Sequence, residues 1–230
     1  MKLTFILMIT LLLIGGVSYY LLTPEFGWGR NDNRVQVLIA KEKAEQSFNG
    51  LGDIVKEVQE SLSEAENYVV NQFNKSSSRG KKTSKVALKV SDEIDATVCR
   101  KHAAKIGKLK RKFNNIESAV SFYFTELDTM MIDVEEAKNL HKELSLEINN
   151  LKRDYANARN EANDAIQEVE QRYLDICHYK ELIIIMTTIE GVRQKIDELK
   201  VLSGEAKTIS NEIKSFSING KNIIHKEIGN

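Results

Sequence analysis

The cysteine and histidine residues of this chain have the spacing closest to that of a chemical site. Cys99 and His102 are three residues apart, so on a helix both side chains project from one face and supply half of a metal-binding set. No second pair of ligands lies nearby in the sequence, and Cys177 is too distant to demand or exclude a disulfide with Cys99. We therefore predict a structural role for Cys99 and His102, with no metal and no other cofactor.

Other catalytic patterns are incomplete. Residues 78–83, SRGKKT, are similar to the end of a phosphate-binding loop, but the first glycine of that motif is missing and no strand precedes it. Carboxylate di-metal bundles need Glu-x-x-His, whereas Lys138 stands three residues before His141 and Asp175 stands three before His178. His141 instead occupies an apolar seam, where a lone polar residue fixes helix register. The sequence predicts a non-enzymatic protein without a small-molecule substrate.

Long apolar repeats dominate the elements that carry these residues. Between residues 106 and 169, positions at alternating steps of three and four are nearly all apolar, which is the spacing of a coiled-coil or bundle seam. A second seam runs from residue 44 to 69, and an apolar helical stripe runs from residue 185 to 216. Pro24 is the only proline, and runs of β-branched residues typical of strands are missing. These features predict an all-α protein.

The predicted architecture is an N-terminal transmembrane helix followed by an elongated antiparallel coiled coil or four-helix bundle. A polar loop at residues 74–84 separates the first two bundle helices. The predicted segments are an anchor at 1–23, a linker at 24–33, a bundle at 34–217 with helices at 34–73, 85–123, 128–176 and 181–216, and a loosely held tail at 218–230.

A bend is predicted between the second and third bundle helices. If the second helix returns beside the first, it meets the bilayer near residue 123, and a straight continuation would carry an acidic helix into the membrane. We place the bend at residues 121–129, where Thr125 and Asp128 can cap a new helix. The heptad phase is unbroken through this segment, so a straight helix is the alternative.

The location of the protein is predicted from its N-terminal segment. Residues 3–22 contain no charge and are long enough to cross the hydrocarbon core, with Tyr19, Tyr20 and Trp28 placed to anchor at the interface. A secretory signal cleaved at residues 16–18 is the alternative. We predict an uncleaved single-pass anchor with the body outside the cytoplasm. The basic residues that follow the segment favour the opposite orientation, which stays open.

Charge is segregated along the chain although its total is zero. Residues 74–112 contain thirteen Lys or Arg against three Asp or Glu, and residues 113–175 contain six against fourteen. The candidate contacts for an anionic partner are Lys75, Arg79, Lys81, Lys82, Lys105, Lys108, Lys110, Arg111 and Lys112. The alternative is internal pairing with acidic neighbouring helices. No aromatics interleave the lysines, which argues against nucleic acid as the partner.

The order of these segments resembles an uncharacterised bacterial family of exported, membrane-anchored, all-helical proteins. The resemblance rests on the N-terminal segment, residues 124–127 (FTEL) ahead of 151–155 (LKRDY), and the amphipathic helix at 189–216. It implies an envelope location and no known activity, and this chain lacks the acylated cysteine usual in that family. We predict an envelope scaffold or interaction module that binds proteins or self-associates through its heptad seams. The alternative function is binding or remodelling of anionic membranes through residues 74–112.

Overall fold

The computed structural model describes residues 28–77, 99–133, 138–185 and 189–228. Nearly all of these residues lie in five helices. They are α1 (Trp28–Ser47), α2 (Leu51–Ser77), α3 (Arg100–Asp133), α4 (Lys138–Ile185) and α5 (Ile189–His225). No strand occurs in the described ranges, and the all-α prediction is confirmed for them.

The helices form an antiparallel bundle with four arms, of which α1 and α2 together make the first. This first arm packs against α3 and α5, and α4 packs against the same two helices. Glu57 and Glu64 of α2 pair with Lys105 and Lys101 of α3, so the two helices run in opposite directions. The same reversed order is seen in the α3–α4 pairs Glu117–Arg159 and Asp128–Lys152. It is also seen in the α4–α5 pair Arg172–Glu205 and in the pair between Asp154 and Lys226, the residue after α5.

The predicted seams form the core of this bundle. Every member of the α1–α2 seam is buried, from Ala44 to Val69. In α3, seam positions such as Leu109, Ile116 and Val120 are fully enclosed. Burial of these side chains makes the main favourable contribution to the free energy of folding, at about 25 cal/mol per Å² of apolar surface. The seams that were expected to serve self-association are thus covered by helices of the same chain.

The first predicted helix, 34–73, is interrupted. Between α1 and α2 the chain turns at residues 48–50, and Gly50 adopts a left-handed φ of 77°. The amides of Phe48 and Asn49 bond to carbonyls three residues earlier, a tightening typical of a helix end. Phe48 nevertheless stays in the core at 1% exposure, so the seam passes through the interruption without losing phase.

The predicted bend at residues 121–129 is wrong, because α3 continues through that segment to Asp133. Tyr123 and Leu127 are buried in phase with the residues before them, so a bend would remove both from the core. The Thr125 hydroxyl donates to the Ser121 carbonyl of the same helix and caps no new one. Burial of Tyr123 and Leu127 against the other arms therefore decides the helix length, and the boundaries predicted at 123 and 128 are replaced by one helix.

The C-terminal boundaries also differ from those predicted. α4 extends to Ile185 and α5 begins at Ile189 instead of residue 181. The tail predicted at 218–230 is helical to His225, because Ile224 is fully buried against the bundle and Lys41 donates to the His225 carbonyl. Apolar contact and this hydrogen bond hold the segment in place.

The predicted anchor lies outside the described residues. Of the predicted linker 24–33, residues 28–33 already belong to α1. The first part of the predicted second helix, 85–98, and the loop residues 78–84 also lie outside. Among the helices that are described, none combines the length and the apolar character needed to cross a bilayer.

Candidate functional site

A disulfide and a buried histidine lie together near one end of the bundle. Cys99 and Cys177 are bonded, with their Cα atoms 6.3 Å apart, and the bond joins the start of α3 to α4. The spacing of the two cysteines in the sequence leaves this pairing open. An antiparallel α3–α4 hairpin places the two cysteines at similar distances from the connection at 134–137, and this is the signal that would have indicated the bond.

His102 lies one turn after Cys99 and faces the interior of the bundle. Its side chain has 0% exposure, and its Nδ1 is 3.0 Å from the Ser61 hydroxyl of α2. The imidazole packs against Tyr173 of α4, with ring centroids 4.2 Å apart. The Tyr173 hydroxyl in turn donates to the backbone carbonyl of Cys99. Three arms therefore meet at His102.

Burial controls the protonation of His102. Desolvation lowers its pKa from 6.5 to about 4, because a charged imidazolium in this position would lose its hydration without gaining a carboxylate. The Nε2 atom is buried and has no hydrogen-bond partner among the described residues. A neutral ring enclosed on all sides can support the packing of the three arms, but it is not open to a solvent-borne substrate.

Cys99 and His102, which were weighed from their spacing as half of a metal site, belong to a structural cluster with Ser61 and Tyr173. Cys99 is committed to a disulfide, and His102 is bonded to Ser61. No group of three or more His, Cys, Asp or Glu suited to hold a metal ion is found in the described ranges. His141 of the α4 seam is half-buried and so lies at the edge of the core.

A second buried polar group lies midway along the bundle. Tyr155 of α4 is 6% exposed and packs between the rings of Phe124 and Phe216. Its hydroxyl has no hydrogen-bond partner in the described part of the chain. Desolvation, reinforced by the nearby charge of Glu117, raises the pKa of this phenol. The phenol therefore stays neutral and serves as an aromatic core residue.

Three of the predicted anion contacts pair with carboxylates of neighbouring helices. Lys105 and Lys108 both bond to Glu57 of α2, at 2.7 and 2.9 Å, and Lys110 bonds to Glu170 of α4. The lysine hydrogen bonds, that of Lys105 first, lower the pKa of Glu57 from 4.5 to about 2. These contacts match the internal pairing that was weighed as the alternative for the basic segment.

The other candidate contacts are distributed differently. Arg111 is exposed and Lys112 is half-buried, and neither has an ion-pair partner among the described residues. Lys75 lies in the last turns of α2, but its side chain is outside the described part of the structure. Arg79, Lys81 and Lys82 lie outside it altogether. Binding of an anionic partner by this set therefore stays a prediction.

Comparison of the chain with protein family models, with curated proteins and with solved structures finds no match. The functional argument consequently rests on the residues and contacts described above.

Proposed function

We propose that this chain is a non-enzymatic, disulfide-locked helical rod of the cell envelope that presents helix surfaces to protein partners. The observation that carries the proposal is the Cys99–Cys177 bond between α3 and α4. Disulfides form and persist in oxidising compartments such as the periplasm and the cell exterior. Both cysteines of the chain take part in the bond.

The rest of the proposal follows from the architecture. The apolar seams are buried between helices of the bundle itself, and His102 is enclosed. What such a rod offers to another molecule is its outer helix faces. Residues 3–22, with no charge, supply the proposed tether to a membrane, as predicted from their length.

The experiment measures where the cysteines reside and in which state. The full chain is produced in bacteria, the cells are quenched in acid to stop thiol exchange, and a mass-tagged maleimide is added to the denatured protein either without reduction or after it. We expect no tagging before reduction and two tags after it, with the Cys177→Ser variant giving one tag in both cases. Reporters fused after Asn230 locate the body on one side of the membrane. Two free thiols without reductant, with an active cytoplasmic reporter, would refute the proposal.

A second candidate, binding to anionic membranes, is favoured by Arg111 and Lys112, which have no ion-pair partner in the described ranges. Vesicle flotation of the full chain cannot test it alone, since residues 3–22 would insert by themselves. The Arg111→Glu, Lys112→Glu double variant is therefore compared with the unchanged chain at low and high salt. A salt-sensitive difference that depends on anionic lipid would support the second function.

A further inference from the structure

The outward face of α3 differs from the flanks of the same helix. On the flanks, charged side chains are paired with neighbouring arms, as in Lys105–Glu57 and Asp128–Lys152. Between residues 114 and 125 the exposed outward positions are uncharged. Their centre is Phe122, which is 45% exposed and is the one aromatic among the exposed large apolar side chains of the described residues.

Two of the polar groups on this face, the hydroxyls of Ser118 and Thr125, can be covered at little cost. The hydroxyls of Ser118 and Thr125 donate to the carbonyls of Asn114 and Ser121, four residues earlier in α3. Their donor hydrogens are therefore already satisfied within the helix. A surface that packs here leaves these donors hydrogen-bonded, so the usual cost of burying an unsatisfied hydroxyl is avoided.

Two charges border this uncharged stretch and have opposite signs. Arg111 lies on its N-terminal side and Glu126 on its C-terminal side, and neither has an ion-pair partner among the described residues. Ser118 and Ala119 lie midway between them. A two-fold axis through that midpoint places Arg111 of one copy opposite Glu126 of the other, and Asn115 opposite Phe122.

We propose that this surface, the outer α3 face of Arg111, Asn115, Ser118, Phe122 and Glu126, pairs antiparallel with the same face of a second copy of the chain. Such an interface is self-complementary, as two-fold symmetry requires. Each Arg111 meets a carboxylate, and each Phe122 leaves water against the partner helix. The proposed function requires a protein partner, and this pairing identifies that partner as a second copy of the chain. Only this link rests on the proposed function.

The size of the face sets the expected affinity. The face from Arg111 to Glu126 is about 22 Å long at 1.5 Å rise per residue and about 10 Å wide, so the pairing covers about 450 Å² in total. That area is below the size of a standard specific interface, so we expect a weak and readily reversible dimer. Two copies tethered in one membrane would meet at a raised effective concentration, which strengthens such a weak contact.

Charge reversal tests the pairing directly. The full chain in detergent micelles is compared by sedimentation velocity with Arg111→Glu, Glu126→Arg and the double variant. Each single reversal opposes like charges twice per dimer and is expected to weaken association about fivefold to tenfold. The double variant restores opposite charges and should recover most of the lost affinity. Arg193→Glu on α5, an exposed arginine outside this face, is the matched control and should leave association unchanged.

A cysteine near the axis gives an independent readout. Ser118→Cys places two equivalent thiols close together, so mild oxidation should yield a cross-linked dimer. Asn160→Cys, at an exposed position of α4, should give no cross-linked dimer. A monomer at all concentrations, no recovery in the double variant, or equal cross-linking of the two cysteines would overturn the proposal. A fall in binding to anionic vesicles on Arg111→Glu without any change in association would point to lipid instead. None of these outcomes depends on the redox state of Cys99 and Cys177 in the unchanged chain, which is the test of the proposed function.

Discussion

The ring of His102 packs against the ring of Tyr173 at a centroid distance of 4.2 Å, and Tyr173 donates its hydroxyl proton to the Cys99 carbonyl. The histidine, the tyrosine and the disulfide thus form one contact cluster that joins three arms of the bundle. Its stability should depend on pH and on the redox state of the cysteines, which makes the cluster accessible to measurement.

We expect the stability of the bundle to fall as the pH drops from 6.5 to about 4. His102 has a pKa of about 4 in the folded chain and 6.5 when unfolded, so the unfolded state takes up the proton first. The contribution of the neutral ring is complete above pH 6.5 and is lost through this window. At 1.36 kcal/mol per pKa unit the loss is about 3 kcal/mol, measurable by urea unfolding followed by circular dichroism.

The control for this prediction removes the buried imidazole together with its partner. In the Ser61→Ala, His102→Leu double variant no titrating group remains at the site, and the decline between pH 6.5 and 4 should largely disappear. His141→Leu changes a half-buried histidine of α4 and should keep the decline. An unchanged pH profile in the double variant would assign the acid sensitivity to another group.

A separate acid transition should come from Glu57. Lys105 and Lys108 lower its pKa to about 2 from 4.5, so its pairing stabilises the fold above pH 4.5, and the benefit is lost as the pH falls toward 2. Glu57→Gln should be less stable at neutral pH and should show a weaker pH dependence in that window. Glu60→Gln removes a carboxylate that is 61% exposed and 3.8 Å from Lys56, and it should have little effect. Equal effects of the two substitutions would contradict the prediction.

Loss of the disulfide should destabilise the bundle without changing its helicity. The bond closes a span of 78 residues, and removing a native disulfide costs about 2–5 kcal/mol, chiefly by freeing the unfolded chain. Cys177→Ser, or reduction of the unchanged chain, should lower the free energy of unfolding by similar amounts. Adding reductant to Cys177→Ser serves as the control and should have no further effect. Identical unfolding curves for the oxidised and reduced chains would show that the bond carries no stability.

The contact between Gly220 and Phe48 should tolerate no side chain. A Cβ at residue 220 would lie 2.6 Å from the ring of Phe48, which is 1% exposed and enclosed by Phe216. Gly220→Ala should therefore lower stability by about 1–3 kcal/mol. Gly204→Ala on the same helix meets open space and should raise stability by up to about 1 kcal/mol. Thermal unfolding of both variants would test this contrast, and a stabilising Gly220→Ala would show that the ring moves aside.

The location of the core was readable from the sequence. Seam positions such as Leu109, Ile116 and Leu151 are buried where their spacing predicted, because the heptad pattern reports directly which helix face must leave water. The ends of the helices were less readable. The residues of 121–129 satisfy the usual preferences for a helix start, yet the burial of Tyr123 and Leu127 outweighs them.

The candidate site was only half readable, for a related reason. The spacing of Cys99 and His102 on one helix face is a local property, and it indicated a shared environment. Their partners Ser61, Tyr173 and Cys177 come from other arms, so the meeting point depends on the register in which antiparallel arms align. Register is set by side chains that interlock across helices, and no single segment contains that information.

The sequence by itself determined that this chain is helical, which face of each helix is buried, and that its charges are segregated, since these follow from composition and period. Tertiary structure alone decided the continuity of α3, the Cys99–Cys177 bond, the burial of His102 and the pairing of Lys105 and Lys108 with Glu57. The physical reason is that the period of the apolar residues is a property of one helix. The register between helices, and the proximity and desolvation of side chains, arise only when helices pack against each other.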